Sequence, residues 1–198
     1  MCDYLDHEDS INPFYNNFPN IDGFKRQIDE KSKTFSQEGR EVLFSCLHEQ
    51  SKNLNLSDLT KEHLLLIKDS NTFTVTTGHQ LNLFTGPLYF LYKIISAINL
   101  AKELKKSFPD KNFVPVYWMA TEDHDFEEIQ KANLFSDELI WESTQKGPVG
   151  RFELDGLDEV KSRISALYQN HTESEIHELI KAYDRNNLAE ATSHQDQF

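Results

Sequence analysis

Two polar runs carry the residues most able to do chemistry, Thr77-Gly78-His79-Gln80 and Glu122-Asp123-His124-Asp125. Each holds an imidazole, the side chain that changes charge nearest neutral pH, which makes His79, Asp123 and His124 the candidates for moving protons. Gln80 and Asn82 are neutral donors and acceptors suited to a small polar substrate or to bracing a loop. In an extended backbone Glu122 and His124 face one way and Asp123 and Asp125 the other. One pair then serves a substrate amine or a divalent ion, while the other caps the helix that follows. Gly78 and Gly86 admit a close backbone approach, and a loop feeding a helix N-terminus is an anion site; plain turn chemistry is the alternative. Arg151, in Val149-Gly150-Arg151, suits a carboxylate held by two parallel bonds, or a surface ion pair. No spaced His/Cys set accompanies the acidic run and adjacent residues chelate poorly, so no bound metal is expected.

The elements around these runs place them together. Thr72–Thr77 is rich in β-branched residues and reads as a strand that Gly78 stops. A helix starts near Gly86-Pro87, where a first-turn proline costs nothing, and Leu88, Leu91, Ile95 and Ile98 give it a stripe to bury on a sheet. Lys102, Lys105 and Lys106 suit its C-terminal end, and Phe108-Pro109-Asp110 terminates it. Phe113–Ala120 is almost continuously apolar, as in a strand covered on both faces, and Tyr117, Trp118, Tyr89, Phe90 and Tyr92 read as core. Parallel strands joined by a crossover helix bring their C-terminal ends side by side, so both polar runs face one cleft.

With 198 residues, the chain can bury a core of its own as one domain, or one with a small appendage. A net charge of -13 argues against nucleic acid or an anionic membrane as the main partner. Cys2 and Cys46 form no disulfide framework or zinc ribbon, and no run approaches the ~18 apolar residues of a membrane span. The N-terminus lacks the basic start and apolar run of a signal peptide, and the reading is a soluble cytoplasmic protein.

Residues 1–23 look loop-like. Phe24 to Asn53 reads as two helical pieces interrupted at Glu38-Gly39-Arg40, and Ser57 or Asp58 caps a short helix through Ile67. Past a helical turn at Phe126–Ala132, Trp141–Ser143 and Val149–Leu154 read as a β-hairpin about Gly147-Pro148, followed by helices over Leu157–Asn170 and Glu173–Asp184. The divisions are residues 1–70, a loop and helical segment; 71–136, a strand-helix-strand core; and 137–198, a connecting subdomain.

Thr77–Tyr89, Trp118–Glu128 and Gly147–Arg151, in this order, resemble the bacillithiol biosynthesis cysteine-adding enzyme family. The resemblance implies an α/β, Rossmann-like fold related to nucleotidylyl-transferases and class I synthetases. It also implies a partial parallel sheet, a helical N-terminal segment and a connecting-peptide-like insertion. The implied activity is a ligase joining cysteine to the amine of glucosaminyl-malate, with ATP and Mg²⁺ as candidate activating cofactors. Such chemistry needs donors toward developing phosphate charge and a proton acceptor. His79 sits where synthetase-like folds set a histidine against nucleotide phosphates, though without the usual second histidine. The implied partners are the two small substrates and, in complete members, a second copy through a C-terminal coiled coil. Because members are much longer, the chain is expected to be a cut-short fragment. The alternatives are a nucleotidylyl-transferase-like enzyme acting on another acid and amine, and a non-catalytic binding or assembly fragment.

Overall fold

The computed structural model describes residues 2–134, 137–168 and 174–195. The N-terminal segment is helical earlier than its turn signals suggest: α1 (Cys2–Leu5), a 3₁₀ turn (Asp9–Phe14), α2 (Ile21–Thr34), α3 (Gln37–Gln50) and α4 (Asp58–Leu66). Asn20 caps α2 by accepting the Gly23 N–H. The helical break falls at Phe35-Ser36, while Gly39 and Arg40 lie inside α3. Then come β1 (Thr72–Gln80), α5 (Leu88–Ser107) and β2 (Asn112–Ala120), the strand-crossover-strand unit. The two strands pair in parallel: at their starts the Asn112 N–H donates to Asn71 O, and at their ends Gly78 lies against Trp118. Gly78 therefore does not stop the strand, since pairing with β2 carries β1 on through Gln80.

The chain divides into two compact units. The first comprises residues 1–50, 58–75 and 100–114. Ile28, Ala101, Leu104 and Phe113 form its core, with Phe24, Phe73 and Phe108 packed around them. Arg40 is 2% exposed there, and its guanidinium donates to the carbonyls of Ile67, Ser70 and Thr72 at 3.2, 3.3 and 2.9 Å. It ties α3 to the end of α4 and the start of β1. Burial holds its pKa below the ordinary arginine value, with the nearby Asp69 opposing that effect.

The second unit comprises residues 51–57, 76–99 and 115–198. Its further elements are α6 (Phe126–Ile129), β3 (Lys131–Leu134), β4 (Asp137–Ile140), a 3₁₀ turn (Val149–Arg151), α7 (Leu157–Leu167), α8 (Ser174–Ala182) and α9 (Leu188–Gln195). The hairpin is antiparallel β3–β4, with Lys131 opposite Ile140, and not a pairing across Gly147-Pro148. Trp141 is instead a fully buried core residue whose Nε1 donates to Asp155 O, and Val149–Arg151 coils into the 3₁₀ turn. The expected helix ends Asn170 and Glu173 lie outside the described residues. Leu81, Leu83, Phe84, Trp141, Leu157 and Leu188 belong to one apolar cluster, so the loop after β1 is a core segment.

The stripe expected to be buried on α5 is turned outward. Leu88, Leu91 and Ile95 are exposed and Ile98 is half-buried, whereas Phe90, Ala97, Ala101 and Leu104 are buried. The helix is apolar on nearly every side, so periodicity does not choose its buried face. Tyr89, Tyr92 and Trp118, read as core, are also exposed, which leaves Phe90 as the buried aromatic of the first turn.

Candidate functional site

The site lies in the second unit, at the C-terminal ends of β1 and β2. His79 is half-buried, with Nδ1 3.1 Å from Gln80 O and Nε2 2.9 Å from the Tyr89 hydroxyl on the first turn of α5. Phe90 meets its ring edge-on, with centroids 6.0 Å apart. One turn along α5, Lys93 Nζ donates to Gly78 O at 2.9 Å. Tyr117 on β2 donates to His79 O at 3.4 Å, and Gln80 Nε2 donates to a Glu128 carboxylate oxygen on α6. The Gln80 Oε1 atom is buried and lacks a partner among the described residues.

The loop after β1 is braced. Asn82 is 6% exposed; its Nδ2 donates to Gln80 O and its carbonyl accepts from the Tyr183 hydroxyl, which in turn accepts the Phe84 N–H. Phe84, Thr85 and Gly86 all have positive φ, at 48°, 71° and 62°. A Cβ on Gly86 would come within 2.6 Å of the Asn82 Cβ. The loop thus turns on left-handed residues held from behind by Tyr183, and Asn82 packs within it. The space beside Gly86 holds Asn82, and that beside Gly78 holds Trp118, 3.1 Å from a would-be Cβ.

The acidic run is not extended, because β2 ends at Ala120 and a turn follows, so the expected alternation of faces does not apply. Asp123 accepts the Asp125 N–H at 2.9 Å, and Asp125 caps α6 by accepting the Glu128 N–H at 3.2 Å. Glu122 and His124 are exposed. The third motif docks on this turn through backbone bonds, with the Val149 N–H donating to Asp123 O at 2.7 Å and the Gly150 N–H to Thr121 O at 3.1 Å. A Cβ on Gly150 would lie 2.7 Å from the Thr121 Cβ, so the approach requires glycine. Arg151, just beyond, is exposed and meets no carboxylate among the described residues.

Sequence reasoning overlooked Tyr89, Lys93 and Glu128 as site residues. Tyr89 and Lys93 are four apart, hence on one face of α5, which was the available signal. Glu128 offered none, because its partner Gln80 is 48 residues away. Among the described residues no group of three or more His, Cys, Asp or Glu could hold a metal ion. None of the described helices is long and apolar enough to cross a membrane.

A parallel strand pair with a crossover helix and N-terminal helices defines a Rossmann-like α/β protein, and the polar groups beyond the strand ends are its candidate site. The family described as "Bacillithiol biosynthesis BshC, N-terminal Rossmann-like domain" matches residues 1–196, and the chain belongs to this family. It is similar to the "Putative cysteine ligase BshC" of Flavobacterium johnsoniae, 54% identical over 79% of this chain and 30% of that protein. The protein of the same name from Christiangramia forsetii is 49% identical over 84% of the chain and 32% of its own length. That from Bacillus cereus is 28% identical over 100% of the chain and 37% of its length. The chain therefore spans about a third of the length of these relatives.

Proposed function

We propose that the complete protein is a cytoplasmic ligase that joins the carboxylate of cysteine to the amine of glucosaminyl-malate, forming the amide of bacillithiol, and that this chain carries the strand-end half of its site. The observation that supports the reading is the joining of three motifs at one place in a member of this family. His79 and Gln80 end β1, Thr121–Asp123 follows β2, and Gly150 docks on Thr121. In this reading His79 takes part in proton transfer, Gln80 contacts the substrate, and Arg151 grips a carboxylate of the malate part. Asp123 shapes the turn, and His124 and Glu122 line its exposed side. Activation of the cysteine carboxylate by ATP and Mg²⁺, a nucleotidylyl-transferase-like layout and a homodimer enter on the family resemblance alone.

In cells that make this thiol, deleting the gene for the complete protein and measuring thiols by mass spectrometry should show loss of bacillithiol with glucosaminyl-malate accumulating. An unchanged thiol pool would sink the ligase reading and leave a non-catalytic binding role.

A further inference from the structure

The two contacts of the His79 ring settle which nitrogen carries its proton. Gln80 O, 3.1 Å from Nδ1, is a carbonyl and can only accept, so Nδ1 bears the hydrogen. In the neutral ring Nε2 is then a bare acceptor, and the Tyr89 hydroxyl at 2.9 Å must donate to it. The imidazole is satisfied at both nitrogens and offers no lone pair to an incoming group. The Tyr89 oxygen does, because its own proton is committed to Nε2 and its side of the pair is open: Tyr89 is 48% exposed.

We infer that the proton acceptor of this site is the Tyr89 oxygen backed by His79, and that the group it serves is a primary amine. As the amine nitrogen bonds to the carbonyl carbon of an acyl group activated as a mixed anhydride with phosphate, the carbon–oxygen bond to that phosphate breaks and the phosphate leaves with its electron pair, while the amine N–H proton passes to the Tyr89 oxygen and the Tyr89 proton moves to Nε2. Tyrosine ends neutral as it began, and the positive charge rests on an imidazolium whose Nδ1–H still donates to Gln80 O. The Tyr89 hydroxyl is carried on the first turn of α5 and His79 on β1, so the pair is set by the packing of helix on strand. Phe90, 3% exposed and edge-on to the imidazole, fixes the ring from the buried side. The inference rests on the ligase reading for the identity of the amine, but not for the pairing itself.

Two measurements test it separately. In ¹⁵N spectra of this chain His79 should show the Nδ1–H tautomer with a hydrogen-bonded Nε2, and Tyr89→Phe should move the Nε2 signal toward that of an unbonded ring nitrogen. An Nε2–H tautomer, or an Nε2 signal indifferent to Tyr89→Phe, overturns the pairing. In the complete protein Tyr89→Phe and His79→Gln should each lower kcat by about 10²–10⁴-fold with a smaller change in KM, and the double variant should be little worse than either single one. Full kcat in Tyr89→Phe overturns the relay. A complete protein that forms no amide in any version defeats the ligase reading, whereas the ¹⁵N result still decides the pairing.

Discussion

His79 and Gly86 are seven residues apart, and substitutions at the two should separate activity from stability. Replacing His79 by alanine in the complete protein should cost activity well beyond its effect on stability. It removes a half-buried ring without opening a core cavity, and surface changes of this kind shift stability by about 0.5 kcal/mol. Comparing turnover with urea midpoints checks this; equal losses in both would make His79 a bracing residue. Gly86→Ala should do the reverse. It places a Cβ on a backbone with φ of 62° and against the Asn82 side chain, which should cost about 1–3 kcal/mol of stability in this chain, read by thermal unfolding. Asp125→Ala should cost about 1 kcal/mol through the lost cap of α6, and Asn at the same position should restore most of it.

Between elements, specific polar ties hold the packing. Lys161 on α7 reaches Asp158 and also Asp184 beyond α8, each at 2.8 Å. Burial by itself would depress its pKa, but the two carboxylates outweigh burial and hold it above the ordinary lysine value. A raised folded pKa means that the stabilisation is complete below the unfolded lysine value and disappears as pH climbs through the higher folded one. Lys161→Gln should therefore lower stability by about 1 kcal/mol at neutral pH, a modest figure because the carboxylates are largely exposed. The gap from the native chain should close only at strongly alkaline pH. Unfolding midpoints across a pH series measure this, and a gap independent of pH would reassign the effect to packing. Arg40→Met poses the opposite case, since it strips three carbonyls of their donor in a buried place and should cost about 2–4 kcal/mol.

At the scale of the whole molecule, α5 carries an apolar surface that the described residues leave uncovered. Leu88, Leu91, Tyr92 and Ile95 repeat at three- and four-residue spacing along one side of α5, and each is at least 42% exposed. Trp118 on β2 is 60% exposed. A helix face of this width is more than a scatter of single exposed residues, and this chain purified alone should self-associate as its concentration rises. Size-exclusion chromatography with light scattering reads the outcome. Leu91→Glu with Ile95→Lys should reduce the association, and a native chain that stays monomeric at high concentration would refute it.

What the sequence by itself determined is local. The β-branched run of β1, the continuous apolar run of β2 and the lysines at the end of α5 each state their own conformation, because strand preference and dipole complementarity act within a few residues. The helix cap in the acidic run was legible for the same reason, Asp125 reaching a backbone N–H three residues on. The tertiary structure decided which side of an all-round apolar helix is buried, and that Gly78 continues a strand instead of ending it. It also turned Val149–Arg151 into a 3₁₀ turn seated on Thr121, and paired His79 with Tyr89 and Gln80 with Glu128. These outcomes depend on which distant surface is available to pack or to accept a bond. Tyr183 closing the loop at Asn82 from 101 residues away is the extreme case, and no spacing within the loop encodes it.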